Sequence, residues 1–168
     1  FNNGRIQMTG IKNDTQGLQS ILIILDEFNK LDINKKQLIF DVSEIKMIED
    51  IQTVLINSDF DIYHQIDRSK LHRLIVDKGY YSSYEPCTYP GVNIKYYYNE
   101  LLDNKGICNC VKPCDGKGKN NTCKRITIAV FNSGKIIITG GRSYDNIIVA
   151  HKFITDIIDE YKDEIIMK

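Results

Sequence analysis

The sequence predicts an α+β fold in which long amphipathic helices cover one face of an antiparallel sheet. Two observations predict it: an internal repeat that leads each time into a helical stripe, and strand-like segments with an apolar residue on nearly every second position. Phe1–Lys12, FNNGRIQMTGIK, recurs as Phe131–Arg142, FNSGKIIITGGR, with six of twelve positions identical and two Lys/Arg exchanges. Each copy reads as strand, tight Asn-x-Gly turn and strand, because a short hairpin needs the positive φ that Gly4 and Gly134 supply. After the first copy, Leu18, Ile21, Leu22, Leu25 and Phe28 fall on one helical stripe. After the second, Ile147, Ala150, His151, Ile154, Ile158, Tyr161 and Ile165 do the same. Asp14, and Ser143 or Asp145, are the expected N-caps.

The intervening sequence is of the same kind. Ile51–Phe60 reads as a strand, Ser69 as the cap of a short helix through Leu71, Leu74 and Ile75, and Gly79 as its stop. Tyr80–Gly91, with two prolines, reads as a rigid loop. Val92–Tyr98, Ile126–Phe131 and Lys135–Thr139 complete the strands, while 29–45 and 99–125 read as linking or inserted segments. Strand parity separates Ile126, Ile128, Val130, Ile136 and Ile138 from Thr127, Ala129, Phe131, Lys135, Ile137 and Thr139. By the same rule Tyr96 and Tyr98 face the helices and Tyr97 the other side. The second face mixes apolar groups, Thr and Lys, and the chain has too few helices to cover it, so it is expected to meet a partner.

Composition sets outer bounds. The chain has 168 residues, 42% hydrophobic and 26% charged, which excludes wholesale disorder. Its longest apolar run, Ile21–Leu25, is too short to span a membrane. The start at Phe1 reads as that of an excised piece. The 22 basic and 22 acidic residues cancel but are unevenly spread: residues 13–62 hold ten acids and four bases, residues 105–125 six bases and one acid, and residues 143–168 six acids and three bases. A nucleic-acid face and ordinary solvated patches are both compatible with such blocks.

The loop SSYEPCTYPG at 82–91 resembles the Ser-Ser-Tyr-Glu-Pro-x-x-Phe-Pro-Gly of the TATA-box-binding protein family, and FNSGKIIITG at 131–140 resembles its Phe-x-Ser-Gly-Lys-x-x-x-Thr-Gly strand pair. Ile51-Gln52-Thr53 stands where the family has Ile-Gln-Asn. The resemblance covers most of 46–98 and 126–165. It divides the chain into 1–45, the C-terminal part of a first repeat plus linker, and 46–168, a second repeat with a Cys-rich insert at about 99–125. The insert is outside the common pattern and is similar to that of divergent relatives in large DNA viruses.

The resemblance implies TATA-box-binding-protein-like repeats forming a curved, saddle-shaped antiparallel sheet with helices on its convex face, seated in the minor groove of double-stranded promoter DNA and bending it. Phe131 and Tyr89 match the wedges of the second repeat, and Thr88 the residue before the latter wedge. Leu55, Ile137 and Thr139 match groove-lining residues, with Ala129 on the same face. Lys95, Lys135 and Arg142 match phosphate-contacting positions. Phe1, Arg5, Thr9 and Lys12 match the corresponding positions of the first repeat. Three departures bear on specificity. Thr53 stands in place of an Asn and has one donor instead of two, Gln7 replaces an apolar groove contact, and Tyr89 replaces Phe. The implied partners are promoter DNA and basal transcription factors or RNA polymerase, with no membrane, in the nucleus or a viral replication compartment. No enzyme activity is implied. The alternative is a protein-interaction module of the same fold that has lost DNA binding.

Cys108-x-Cys110-x3-Cys114-x8-Cys123 offers four thiolates within sixteen residues, in a clustering that suggests a reducing, intracellular setting. Either they ligate one structural zinc ion or they are unliganded thiols of a loop. No cofactor is otherwise required. A four-Cys site is coordinatively closed, which argues against a zinc enzyme. Lys112, Lys117, Lys119, Lys124 and Arg125 surround the cluster, facing either flanking phosphate or solvent. Cys87 is isolated, and His64, His72 and His151 form no triad or metal pattern.

Overall fold

The computed structural model describes residues 1, 5–32, 51–101, 105–111, 114–118 and 122–167. They group into two compact units, Phe1–Gln52 and Thr53–Lys168.

In the first unit the described residues form one helix, α1 (Asp14–Asn29), capped by Asn13, whose side chain accepts the Gln16 N–H at 2.8 Å. The cap falls one residue before the expected Asp14. Gly17 and Ile21 are its buried residues, while Leu18, Leu22, Ile23 and Ile24 are exposed. Residues 5–12 carry no strand, so the hairpin expected in the first copy is absent there; Gly4 lies outside the described residues. A strand needs a ladder partner for its backbone groups, and none is described beside this segment.

The second unit is built on an antiparallel sheet of β1 (Ile56–Asp61), β2 (Tyr81–Ser83), β3 (Val92–Tyr98), β4 (Lys124–Val130) and β5 (Lys135–Gly141), in the order β1-β5-β4-β3-β2. Three helices accompany it: α2 (Arg68–Asp77), α3 (Tyr144–Glu160) and α4 (Lys162–Ile165). The register puts Ile94 opposite Ile128 and Ile128 opposite Ile138, so one side of three neighbouring strands is a continuous aliphatic surface. Val92, Ile94, Ile126, Ile128, Val130, Ile136 and Ile138 have no solvent exposure and pack with Leu71 and Ile75 of α2 and Ala150, Ile154 and Ile158 of α3. Ser143 caps α3 by accepting the Asn146 N–H. The chain end returns to the start of α2, where the Asp67 N–H donates to the Ile165 carbonyl at 2.8 Å and the Met167 N–H to that of Gln65 at 2.8 Å.

Several expected boundaries shift. The first strand begins at Ile56 rather than Ile51, so Thr53 and Leu55 precede the sheet; the last β5 residue in register is Gly141, opposite Ile56, and the ladder ends there. Asp67, not Ser69, caps α2 by accepting the Lys70 N–H at 3.0 Å. The segment expected as loop from Tyr80 contains β2, which pairs Tyr81, Ser82 and Ser83 with Lys95, Ile94 and Asn93. The stripe expected to run on to Ile165 is interrupted at Tyr161, which ends α3. Lys124 and Arg125, expected in the insert, open β4.

The β4–β5 turn depends on Gly134. Its φ is +90°, and a Cβ there would strike the His64 carbonyl oxygen. Both the strained backbone and the immovable neighbour oppose any side chain. Gly134→Ala is therefore expected to lower unfolding stability by at least ~1–2 kcal/mol, read as a shift in the denaturant midpoint.

Candidate nucleic-acid interface

With the isoleucines turned to the helices, the alternate residues form the other face of the sheet. Its rows follow from the ladders. One row runs Asp59, Ile137, Ala129, Asn93 and Ser83; the next includes Thr139, Thr127, Lys95 and Tyr81; a third pairs Arg125 with Tyr97. All three helices of this unit pack on the opposite side, and Ile137, in the middle of the first row, remains 37% exposed. Ala129 is only 4% exposed, a small side chain at the floor of the sheet between larger neighbours. The Thr139 hydroxyl donates to Asn57 on β1, and the Lys95 ammonium donates to the Thr127 hydroxyl at 3.0 Å.

An aromatic pair stands at one end of this face. The rings of Tyr89 and Phe131 lie 5.8 Å apart, inclined by 58°. Gly91 permits this closeness: a Cβ at that residue would stand 2.8 Å from the Tyr89 ring and 3.2 Å from that of Phe131. The loop carrying Tyr89 is held from below. The Thr88 and Tyr89 N–H groups both donate to the Glu85 carbonyl, at 2.9 and 2.8 Å. Arg68 of α2 donates to the Pro90 carbonyl and lies over the Tyr84 ring at 5.4 Å. Thr88 is exposed at the turn, and Lys135 is exposed beside Phe131 at the head of β5.

The structure thus brings together Tyr89, Lys95, Ala129, Phe131, Lys135, Ile137 and Thr139. Thr88 is adjacent to Tyr89, and Arg142 directly follows β5. Thr53 and Leu55 are exposed ahead of β1. Phe1, Arg5, Gln7 and Thr9 line a shallow depression of their own in the first unit, with Lys12 exposed before α1. Asn57, Asp59, Asn93, Tyr81 and Ser83 share the open face and were not singled out from sequence. Parity alone places Asn57, Asp59 and Asn93 there, whereas β2 has no signal beyond two serines and a tyrosine.

The four cysteines of the insert also converge. Their sulfur atoms all lie within 4.8 Å of one another, with Cys110 and Cys123 3.6 Å apart and Cys123 and Cys108 3.8 Å apart. Four sulfurs at ~2.3 Å around a tetrahedral zinc would be separated by about 3.8 Å, so the donor set and its spacing fit that ion. Burial pushes the Cys123 thiol up to about 12, whereas a hydrogen bond from the Cys123 backbone draws that of Cys110 down.

A five-stranded antiparallel sheet with its helices packed on one face and an aromatic pair at one end of the other defines an α+β sheet protein with an open face. The family model described as "Transcription factor TFIID (or TATA-binding protein, TBP)" matches residues 50–161. A protein of Acanthamoeba polyphaga mimivirus, described as TATA-box-binding protein-like, is 30% identical over 171 residues, an alignment covering 98% of this chain and 43% of that relative. The chain belongs to the TATA-binding protein family.

Lys95 offers a test of the open face on its own. Burial first, and the nearby Arg125 second, hold its ammonium below the usual lysine range. A folded state that releases a proton before the unfolded state gains stability as pH rises between the lowered folded value and the ordinary lysine value. Lys95→Met is expected to raise the melting temperature at neutral pH and to remove this lysine's share of that alkaline gain, measured by thermal unfolding across pH.

Proposed function

We propose that this chain is a promoter-binding transcription-initiation factor whose open sheet face seats in the minor groove of double-stranded DNA and bends it. The observation that carries the reading is the Tyr89–Phe131 pair, held by Glu85 and Arg68 at the end of a face floored by Ala129 and Ile137. Minor-groove edges are nearly degenerate, so a reader of that groove gains affinity from apolar contact and from the deformability of the sequence. Ala129 and Ile137 supply the apolar floor. Thr139, and Thr53 and Leu55 ahead of β1, lie toward base edges. Lys95, Lys135 and Arg142 contact phosphate. Phe131 and Tyr89, with Thr88 beside them, wedge between base pairs at a cost of about a few kcal/mol per step, offset by the wider contact that bending allows. Phe1, Arg5, Gln7, Thr9 and Lys12 act in the same way in the first repeat. The helical side is left to basal transcription factors or polymerase, in a nucleus or a viral replication compartment. The described helices include none long and apolar enough to cross a membrane.

The cysteine set supports a structural zinc ion, held by Cys108, Cys110, Cys114 and Cys123, that cross-links a segment with little core of its own. A second reading, a protein-interaction module that has lost DNA binding, draws on Asp59 and Asp61, whose register puts two carboxylates on the β1 edge of the open face.

Phe131→Ala is expected to abolish most of the bend in an end-labelled A·T-rich duplex while leaving the folded state intact by circular dichroism. Normal bending by that variant would remove the wedge role. For the metal, one zinc per chain is expected by elemental analysis of the purified protein, falling to a small fraction in Cys108→Ser/Cys114→Ser.

A further inference from the structure

The insert does more than bridge β3 and β4. It is bonded to the ends of both strands. The Tyr97 N–H donates to the Gly106 carbonyl at 2.9 Å, and the Arg125 N–H donates to the Gly116 carbonyl at 2.8 Å. The Gly118 N–H closes back on the Cys123 carbonyl at 3.0 Å. Gly116, at φ +71°, comes so close that a Cβ would stand 2.6 Å from the Cβ of Arg125. These glycines are interleaved with the cysteines: Gly106 stands two residues before Cys108, Gly116 two after Cys114, and Gly118 between Cys114 and Cys123. Whatever holds the four sulfurs together also holds the insert against the sheet.

The cluster is uneven in its access to solvent. Cys108, Cys110 and Cys114 are partly exposed, whereas Cys123 is buried immediately before β4. The two kinds of sulfur touch. Cys110 and Cys123 are 3.6 Å apart, and Cys123 and Cys108 are 3.8 Å apart. A solvent-reaching thiol in contact with a buried one suits oxidation followed by capture: the first sulfur meets the oxidant, and the second closes on it before further oxidation. In a reducing compartment such a disulfide is transient and serves as a signal rather than a staple.

We propose that Cys110 and Cys123 form a peroxide-sensitive thiol pair, whose oxidation to a disulfide dismantles the metal site and loosens the insert from β3 and β4. Release of metal rests on the zinc reading above; the thiol pair does not. The oxidant is hydrogen peroxide. The Cys110 sulfur attacks one peroxide oxygen, the O–O bond breaks, and Cys110 becomes a sulfenic acid as hydroxide departs. The Cys123 sulfur then attacks the Cys110 sulfur; the S–S bond forms, the S–O bond breaks, and a second hydroxide departs. Both hydroxides leave as water with the two thiol protons, or with solvent protons where the sulfurs are metal-bound. The two sulfurs give up two electrons, and one peroxide becomes two waters. The disulfide takes two of the four thiolates that a closed tetrahedral site requires. Cys108 and Cys114 then share no centre, and the limbs carrying Gly106 and Gly116 lose their cross-link.

The test uses the zinc-loaded protein carrying Cys87→Ser, which removes the isolated exposed thiol. After peroxide treatment, zinc is followed with a chromogenic chelator, disulfides by peptide mass mapping, and amide exchange at Tyr97 and Arg125 by NMR. One zinc is expected to leave per Cys110–Cys123 disulfide. Exchange at both amides should become about fivefold faster, the loss of one net hydrogen bond each. Dithiothreitol with added zinc should reverse all three changes. Cysteines that stay reduced, a disulfide between any other pair, or sulfinic acid without a disulfide overturns the thiol pair. A Cys110–Cys123 disulfide with zinc retained, or with exchange unchanged, overturns the link from the pair to the metal site and the strands. Purified protein that holds no zinc overturns the zinc reading, and the peptide map on that same protein still decides the thiol pair.

Discussion

Everything in the second unit depends on the burial of one set of alternate side chains. Val92, Ile94, Ile126, Ile128, Val130, Ile136 and Ile138 occupy the helix-facing positions of three adjacent strands and are fully removed from solvent. A side-chain period of two fixes the remainder: when these residues turn inward, Thr127, Ala129, Ile137 and Thr139 must turn outward. A register slip of one residue would bury lysine and threonine and expose isoleucine, so the open face is specified by the core behind it. The orientation of the open face is set by the packed aliphatic layer directly behind it.

Two local devices give that face its ends. At one end Gly91 lets two rings approach, and the Glu85 and Arg68 bonds fix the loop that carries Tyr89. At the other, the cysteine insert reaches around the ends of β3 and β4 through Gly106 and Gly116. Both ends use glycine where backbone or ring must come within van der Waals distance. Between them the floor is small and weakly polar. It carries acidic as well as basic groups, since Asp59 lies opposite Ile137 and Asp61 opposite Lys135. On the proposed function, affinity comes from contact area and the shape of the duplex more than from net charge, in keeping with a chain whose charges sum to zero.

Much of this was legible in the sequence, for identifiable reasons. The second copy of the repeat carries a full alternating pattern, a glycine turn and a cap, and each signal points to the same hairpin and helix. Parity then divided the faces correctly from Lys135 to Thr139 and from Ile126 to Phe131. The first copy carries the same letters, but its described residues lack a ladder partner and form no strand; local pattern cannot report an absent neighbour. The strand drawn from Ile51 failed for a related reason: its apolar residues run past the point where β5 ends. β2 was hidden because three residues, two of them serine, give no periodicity, and its pairing with β3 is a tertiary fact. The convergence of the cysteines could be suspected from spacing, whereas the grip of Gly116 on Arg125 needed coordinates.

On the proposed function, the open face of the sheet reads DNA by bending it. Fluorescence transfer across an end-labelled duplex, with A·T-rich and scrambled sequences compared at two salt concentrations using the full-length protein, tests that claim most directly. Sequence-dependent bending that weakens as salt rises is the expected result. An unbent duplex with both sequences, at low salt and saturating protein, would contradict it.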